Sequence, residues 1–285
     1  MSDRRSPLPR HAGWPQAVDD VAPTVLVVGG FLTSPPLYGP FRRRLLARGA
    51  AAVLVAPIWT PDWIVAGGLG LGRIVRRAAR ALRAAREVSA ASVRSAGAPV
   101  LIVGHSAGGV VARILTAEAP FGGHRYAAAP SIGAIVTLGT PHDVASGRLG
   151  RRAGEIATRF ANEQVPGAAC APRTGYLTVC SRLVAGLPDG DGRARLAHRM
   201  YRELLPTLPE GAIRGDGVVP VPSAMLAGAR QLVVDGLVHG QAGGRPWYGS
   251  EEGLDQWWAA AVEVWRAALH HRLDTRAGPA GVPGG

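Results

Sequence analysis

Six short apolar runs limit most strongly how this chain can fold. They are Val25–Val28, Val53–Ala56, Val100–Val103, Ala134–Leu138, Tyr176–Cys180 and Gln231–Val234, and Val, Ile and Leu dominate them. Most are continuous rather than alternating. A strand with one wet face must alternate polar and apolar residues, whereas a strand covered on both faces need not. Segments with helical spacing lie between the runs. Arginines 73, 76, 77, 80 and 83 share one stripe, with Leu71, Ile74, Val75, Ala78 and Leu82 largely opposite. Leu254, Trp257, Ala261, Trp265 and Ala268 form a second such stripe. Strand and helix in alternation predict an α/β fold, with a mostly parallel central sheet and helices on both faces.

The 285 residues suit one large domain, and 47% hydrophobic content is enough to bury a sizeable core. Residues 1–22 are polar and proline-bearing and read as an N-terminal tail. Residues 23–270 read as the domain, and 271–285, ending GPAGVPGG, as a flexible C-terminal tail. Within residues 142–175, Leu149, Ala153, Ile156 and Phe160 are spaced to form one small amphipathic cap helix.

The net charge is +12, and every one of the 32 basic residues is Arg. Ala, Gly and Pro are abundant alongside, so the charge reads first as a compositional bias. It is spread rather than blocked, and no nucleic-acid-binding motif accompanies it. A weak peripheral membrane contact through the arginine stripe stays open. GGLGLG at 67–72 has the wrong spacing for a nucleotide fingerprint, and no strand precedes it. Arg4 and Arg5 lead into Ser6, Pro7 and Pro9 rather than an apolar run, so no signal peptide is expected and the default location is cytoplasmic. Cys170 and Cys180 form no CxxC pair. Cys180 reads as a buried small hydrophobe within a strand, and pairing of the two is disfavoured.

The richest segment is VLIVGHSAGGVVARILTAE, residues 100–118. An apolar strand runs straight into Gly104-His105-Ser106-Ala107-Gly108, and a helix follows at once. This is GxSxG in the setting that gives it chemical meaning. A tight strand-to-helix turn holds its serine in a strained conformation and exposes the hydroxyl at the carboxyl end of the sheet. Glycines two residues away on either side let strand and helix pass closely. The new helix leaves backbone donors free, so the Ala107 N–H can meet a developing oxyanion.

A serine needs a neighbouring base. Of eight histidines, His239 alone follows the last strand, in a glycine-flanked loop. The acid is expected after the Tyr176–Cys180 strand. Asp189, Asp191 and Asp216 are the candidates, and Asp216 in GDGVVP is preferred because PDGDG reads as a solvated turn. Gly29-Gly30-Phe31-Leu32, after the first strand, supplies a second oxyanion donor, with Phe31 preferred over Leu32. Trp59, Trp63 and Ile64 lie in an apolar loop after the second strand and are candidates for an acyl-binding wall, or plain core.

GHSAGG, TLGTPH (137–142), GDGVVP (215–220) and the late VHG together resemble lipases of the α/β-hydrolase superfamily. The nearest likeness is to bacterial triacylglycerol-lipase-like and GPI inositol-deacylase-like hydrolases, over residues 23 to 270. The resemblance implies a triad of Ser106, Asp216 and His239, oxyanion donors at Phe31 and Ala107, and no metal or organic cofactor. It implies cleavage of small-molecule or lipid carboxylic esters through an acyl-enzyme. The chain departs from the pattern where many lipases carry His-Gly before the oxyanion residue: here Gly29-Gly30 stands, without a side chain to brace the loop. A thioesterase or acyltransferase could use the same triad, and a binding protein the same fold.

Overall fold

The computed structural model describes residues 18–144, 152–205, 212–241 and 246–277. Its strands are β1 (Thr24–Val28), β2 (Ala52–Val55), β3 (Val100–His105), β4 (Ile132–Leu138), β5 (Gly175–Ser181), β6 (Val184–Gly186), β7 (Ile213–Gly215) and β8 (Arg230–Val234). Its helices are α1 (Gly39–Ala47), α2 (Thr60–Leu69), α3 (Gly72–Ala91), α4 (Ala107–Ile114), α5 (Arg152–Gln164), α6 (Gly192–Leu204), α7 (Val221–Ala224) and α8 (Glu251–Ala277). Each of the six apolar runs coincides with a strand of one six-stranded sheet, in the order β2-β1-β3-β4-β5-β8. Every pairing in that sheet is parallel.

The continuous runs are explained by two cores, one on each face. Along β1, Val25 and Val27 point to a cluster with Phe41 and Leu45 of α1 and Trp257 and Trp265 of α8. Leu26 and Val28 point to the other, with Ile74 and Val75 of α3, Val111 of α4 and Ala157 of α5. All five apolar positions read into the last helix, Leu254 to Ala268, are buried. The α3 stripe behaves as expected, with Ile74, Val75, Ala78 and Leu82 buried. Part of the arginine row is engaged within the chain: Arg73 and Arg77 pair with the buried Asp62 of α2 at 3.0 and 3.2 Å. No helix among the described residues is long and apolar enough to cross a membrane.

Three features differ from the sequence reading. Val18 and Val21, inside the stretch read as a tail, are buried in the core, and α8 runs on to Ala277. A small separate antiparallel pair, β6 with β7, falls between β5 and β8 in sequence and is connected through α6. The cap helix forms as α5, but its buried stripe is Ala153, Ala157 and Ala161, while Ile156 is exposed and Phe160 packs on Phe121. Leu149 lies outside the described residues. Alanines at i, i+4 and i+8 let α5 approach α4 closely, a contact that large side chains would hold apart. As the sequence reading expects, Cys170 and Cys180 are both free thiols, and Cys180 is buried in β5.

The contact of α4 with α5 is fixed by a buried cation. Arg113 of α4 is 1% exposed, and no carboxylate pairs with it among the described residues. Its guanidinium donates to the carbonyls of Ala161 and Val165 and to Asn162 Oδ1, at 3.2, 2.9 and 2.9 Å. These groups lie at the carboxyl end of α5, where unpaired carbonyls carry partial negative charge. Arg113 also donates to His142 Nδ1 at 3.3 Å. Burial lowers its pKa to about 10, so the group stays a cation at neutral pH. Replacing it strands several buried acceptors. Arg113→Met is therefore expected to lower unfolding free energy by about 3 kcal/mol. A urea midpoint equal to that of the unaltered chain would contradict this account of the helix pair.

Candidate active site

β3 ends at His105, Ser106 turns the chain, and α4 begins at Ala107. Ser106 has φ 53° and ψ −130°, a region side chains avoid, at a cost of about 1–3 kcal/mol. The surrounding packing enforces it. A Cβ at Gly104 would lie 2.5 Å from Gly109 Cα, and one at Gly108 would lie 2.1 Å from the Val28 carbonyl. Gly109 is needed as well, because a Cβ there would meet Thr140 Oγ1 at 2.1 Å. Thr140 Oγ1 donates to the Ser106 carbonyl at 2.8 Å, and the Ser106 N–H donates to the Leu138 carbonyl at 2.9 Å.

Asp216 and His239, 23 residues apart, meet at the carboxyl end of the sheet: His239 Nδ1 lies 2.8 Å from Asp216 Oδ2. Asp216 is buried and saturated. Oδ2 also accepts from Tyr248 Oη at 2.8 Å, and Oδ1 accepts from the Val218 and Val219 amides at 2.9 and 2.8 Å. Burial pushes the Asp216 pKa up, but the His239 charge, its hydrogen bond and the two amides outweigh that and hold it below the ordinary value. Burial and the Asp216 charge raise the Tyr248 hydroxyl well above its usual range, so it remains a donor. Gly139, with φ 53°, explains the glycine of TLGTPH: a Cβ there would sit 2.5 Å from Asp216 Oδ2 and 3.1 Å from His239 Nδ1. Thr140 of the same motif braces Ser106, and His142 meets Arg113.

The rival carboxylates are occupied elsewhere. Asp191 caps α6, accepting from the Ala194 N–H at 2.8 Å, and Asp189 is exposed. Asp235 pairs with Arg182 at 2.7 Å.

Ser106 lies on the wall between two cavities. The first, about 250 Å³, is lined by apolar groups that include Trp63, Leu71, Val110, Ala157, Leu204 and Val219, and reaches Ala107 and Phe31. The second, about 350 Å³, is lined by His239, Tyr38, His105, Thr33, Gln241 and Trp247. Ser106 and His239 share this second cavity. Among the described residues no hydrogen bond joins the Ser106 hydroxyl to the His239 ring; such bonds are often loose until substrate closes the site. The amides of Phe31 and Ala107 likewise donate to nothing among the described residues. Of the three residues considered for an acyl wall, Trp63 lines the first cavity. Trp59 and Ile64 line neither, being 46% and 66% exposed.

Sequence reasoning missed Tyr38 and Tyr248 and gave His105 no role. His105 is buried, with Nδ1 2.9 Å from Tyr38 Oη and Nε2 2.7 Å from the His239 carbonyl. The Tyr38 hydroxyl also accepts from the Gly30 N–H at 2.9 Å. It supplies the brace that the Gly29-Gly30 sequence lacked.

The parallel sheet and its tight strand–serine–helix turn define the α/β-hydrolase fold. The known structures agree. The Bacillus licheniformis lipase BlEst2 in mature form superimposes with a TM-score of 0.57 over 91% of this chain and 96% of that one, at 14% identity. Its propeptide form gives 0.56 at 14% identity, over 90% of this chain and 52% of that one. Within the fold, residues 73–167 match the family described as PGAP1-like alpha/beta domain. No curated protein sequence matches the chain.

Two buried histidines set an acid limit on stability. His105 is lowered to about 3 by burial and then by the neighbouring His239 charge, and His142 to about 3 by burial and then by Arg113. Both are neutral when folded and take up protons on unfolding below their ordinary value of 6.5. Stability should therefore rise with pH between about 3 and 6.5, and denaturant midpoints across that window should fall steadily toward acid. A flat profile would show that these rings ionise in place.

Proposed function

We propose that this chain is a serine hydrolase that cleaves carboxylic esters, with Ser106 as nucleophile, His239 as general base and Asp216 as the acid orienting the histidine. One observation carries the reading. A serine strained at φ 53° shares a cavity with a histidine whose far nitrogen is held 2.8 Å from a buried carboxylate. Little else in protein chemistry needs that combination. His239 takes the Ser106 proton as the oxygen attacks the ester carbonyl. The Phe31 and Ala107 amides, which donate to nothing among the described residues, would receive the oxyanion, a contribution of about 3 kcal/mol per donor. His239 then protonates the leaving alcohol, and water hydrolyses the acyl-enzyme. Asp216 holds the proton on Nδ1 and stabilises the imidazolium.

The same mechanism sorts the cavities. The alcohol must leave beside the ring that protonates it, so it occupies the 350 Å³ cavity with His239. The acyl chain takes the apolar 250 Å³ cavity. The fold likeness to a lipase supports this chemistry without naming a substrate.

Ester hydrolysis is tested with p-nitrophenyl esters of graded acyl length. Ser106→Ala should reduce turnover by at least about 10³-fold, and a fluorophosphonate should label the unaltered chain at Ser106. Equal slow rates for both proteins, or no label, would remove the assignment. Chain length tests the cavity separately. Gly154 lines the first cavity, and a Cβ there meets nothing within 4 Å, so Leu at that position fills room for about two methylenes, each worth about 0.8 kcal/mol. Gly154→Leu should lower kcat/KM for octanoyl relative to acetyl ester by about 10-fold. An unchanged ratio would place the acyl chain elsewhere.

A further inference from the structure

The second cavity contains a chain of hydrogen bonds that ester hydrolysis as outlined does not use. It starts at Gly30, next to the Phe31 amide, and ends at the backbone of His239. Gly30 N–H donates to Tyr38 Oη at 2.9 Å, Tyr38 Oη lies 2.9 Å from His105 Nδ1, and His105 Nε2 lies 2.7 Å from the His239 carbonyl oxygen. The directions follow from valence. A carbonyl only accepts, so His105 carries its proton on Nε2. A neutral imidazole has one N–H, which leaves Nδ1 as an acceptor, and the Tyr38 hydroxyl must donate to it. Tyr38 Oη is then free to accept from Gly30. Every link points the same way along the chain, the arrangement in which successive hydrogen bonds polarise one another.

Packing leaves these groups no alternative. Tyr38 is 2% exposed and His105 4%. The His105 ring lies 5.0 Å from the His239 ring and 5.5 Å from Trp247, centroid to centroid. Gly30 has no room for a side chain, because a Cβ there would meet Ser106 Cβ at 2.7 Å and His105 Nδ1 at 3.3 Å. Thr33 closes the same loop, its Oγ1 donating to the Gly30 carbonyl at 2.6 Å. Its Oγ1 also lies 3.3 Å from Tyr38 Oη, a longer contact than that to His105.

We propose that Tyr38 and His105 are positioning residues that tie the Gly30–Phe31 loop to the His239 loop, so that the oxyanion donor and the general base are set at one distance from Ser106. Neither group touches the reacting atoms. Their effect is on the placement of two groups that do, and a misplacement of about 1 Å at such groups costs about 10²-fold in rate. The inference rests on the reading of Ser106 and His239 as nucleophile and base. It differs from a packing role in one respect: it acts in the transition state, where the oxyanion and imidazolium both form, and leaves substrate binding almost unchanged.

Tyr38→Phe keeps the ring and removes the hydroxyl. On p-nitrophenyl butyrate, kcat should fall by about 10- to 100-fold, with KM within about threefold of the unaltered enzyme. Pairing it with His105→Gln in a double-mutant cycle should show coupling, the double variant costing little more than the worse single one. If kcat stays within about twofold, or if the loss falls on KM instead, the proposal is overturned while ester hydrolysis stands. A second measurement needs no active enzyme. In the unaltered protein at pH 7, the ¹⁵N imidazole spectrum, with His105 assigned by its loss in His105→Gln, should show a neutral ring protonated at Nε2. A proton on Nδ1, or an imidazolium, would break the chain at its central link. Inactivity toward every ester would count against the hydrolase reading and leave this spectrum to decide the wiring.

Discussion

Everything at the site depends on the clearance between the end of β3 and the start of α4. Ser106 holds a positive φ only because strand, turn and helix are squeezed together, and three glycines make that squeeze feasible. A single methyl at Gly108 would sit 2.1 Å from the Val28 carbonyl, well inside van der Waals contact. The backbone strain, of order 1–3 kcal/mol, is held in place by two buried layers on either face of the sheet. Rigid packing of this kind has two discrete options, intact or rearranged, and little between.

The second dependency is electrostatic. A carboxylate buried as deeply as Asp216 would ordinarily take up a proton. It remains an anion because four donors converge on it: two backbone amides, the Tyr248 hydroxyl and the His239 ring. Gly139 keeps the space open in which carboxylate and imidazole meet. The turn 216–219, the β4–β5 crossover and the segment before α8 each contribute one side of that enclosure. Arg113 solves a similar problem differently, its charge balanced by the end of a helix rather than by an acid.

What could be read from the sequence was what leaves a local pattern. The four inner strands of the sheet showed as dense Val-rich runs because both faces are covered, and the edge strands β2 and β8, though partly exposed, carry similar runs. Ser106 showed because its glycine neighbours are required two residues away. Asp216 and His239 stood out as an acid in a glycine turn and a histidine after the last strand, and the structure brings those two side chains into contact. Interactions made at long range by ordinary residues left no such trace. Tyr38 and Tyr248 reach His105 and Asp216 across 67 and 32 residues, and a tyrosine in an apolar stretch looks like core. The cap helix was visible, but of its expected stripe only Ala153 joins the buried row of Ala153, Ala157 and Ala161, because close packing there needs alanines rather than Ile156. Trp59 and Ile64 were indistinguishable from Trp63 by composition, although of α2 the first cavity is lined by Trp63, Ala66 and Gly67.

The two sides of the Asp216 carboxylate are chemically unlike, and this makes its geometry intolerant of even an isosteric change. Oδ1 faces backbone amides that can only donate, so an amide side chain there would have to put its oxygen on that side. Its NH₂ would then point at His239 Nδ1 and Tyr248, turning two acceptor contacts into donor ones. The imidazole could satisfy such a neighbour only by moving its own proton to Nε2, the atom that the proposed mechanism needs bare to receive hydrogen from Ser106. A substitution of one atom, at nearly constant volume, would thus reverse the polarity of the ring from behind.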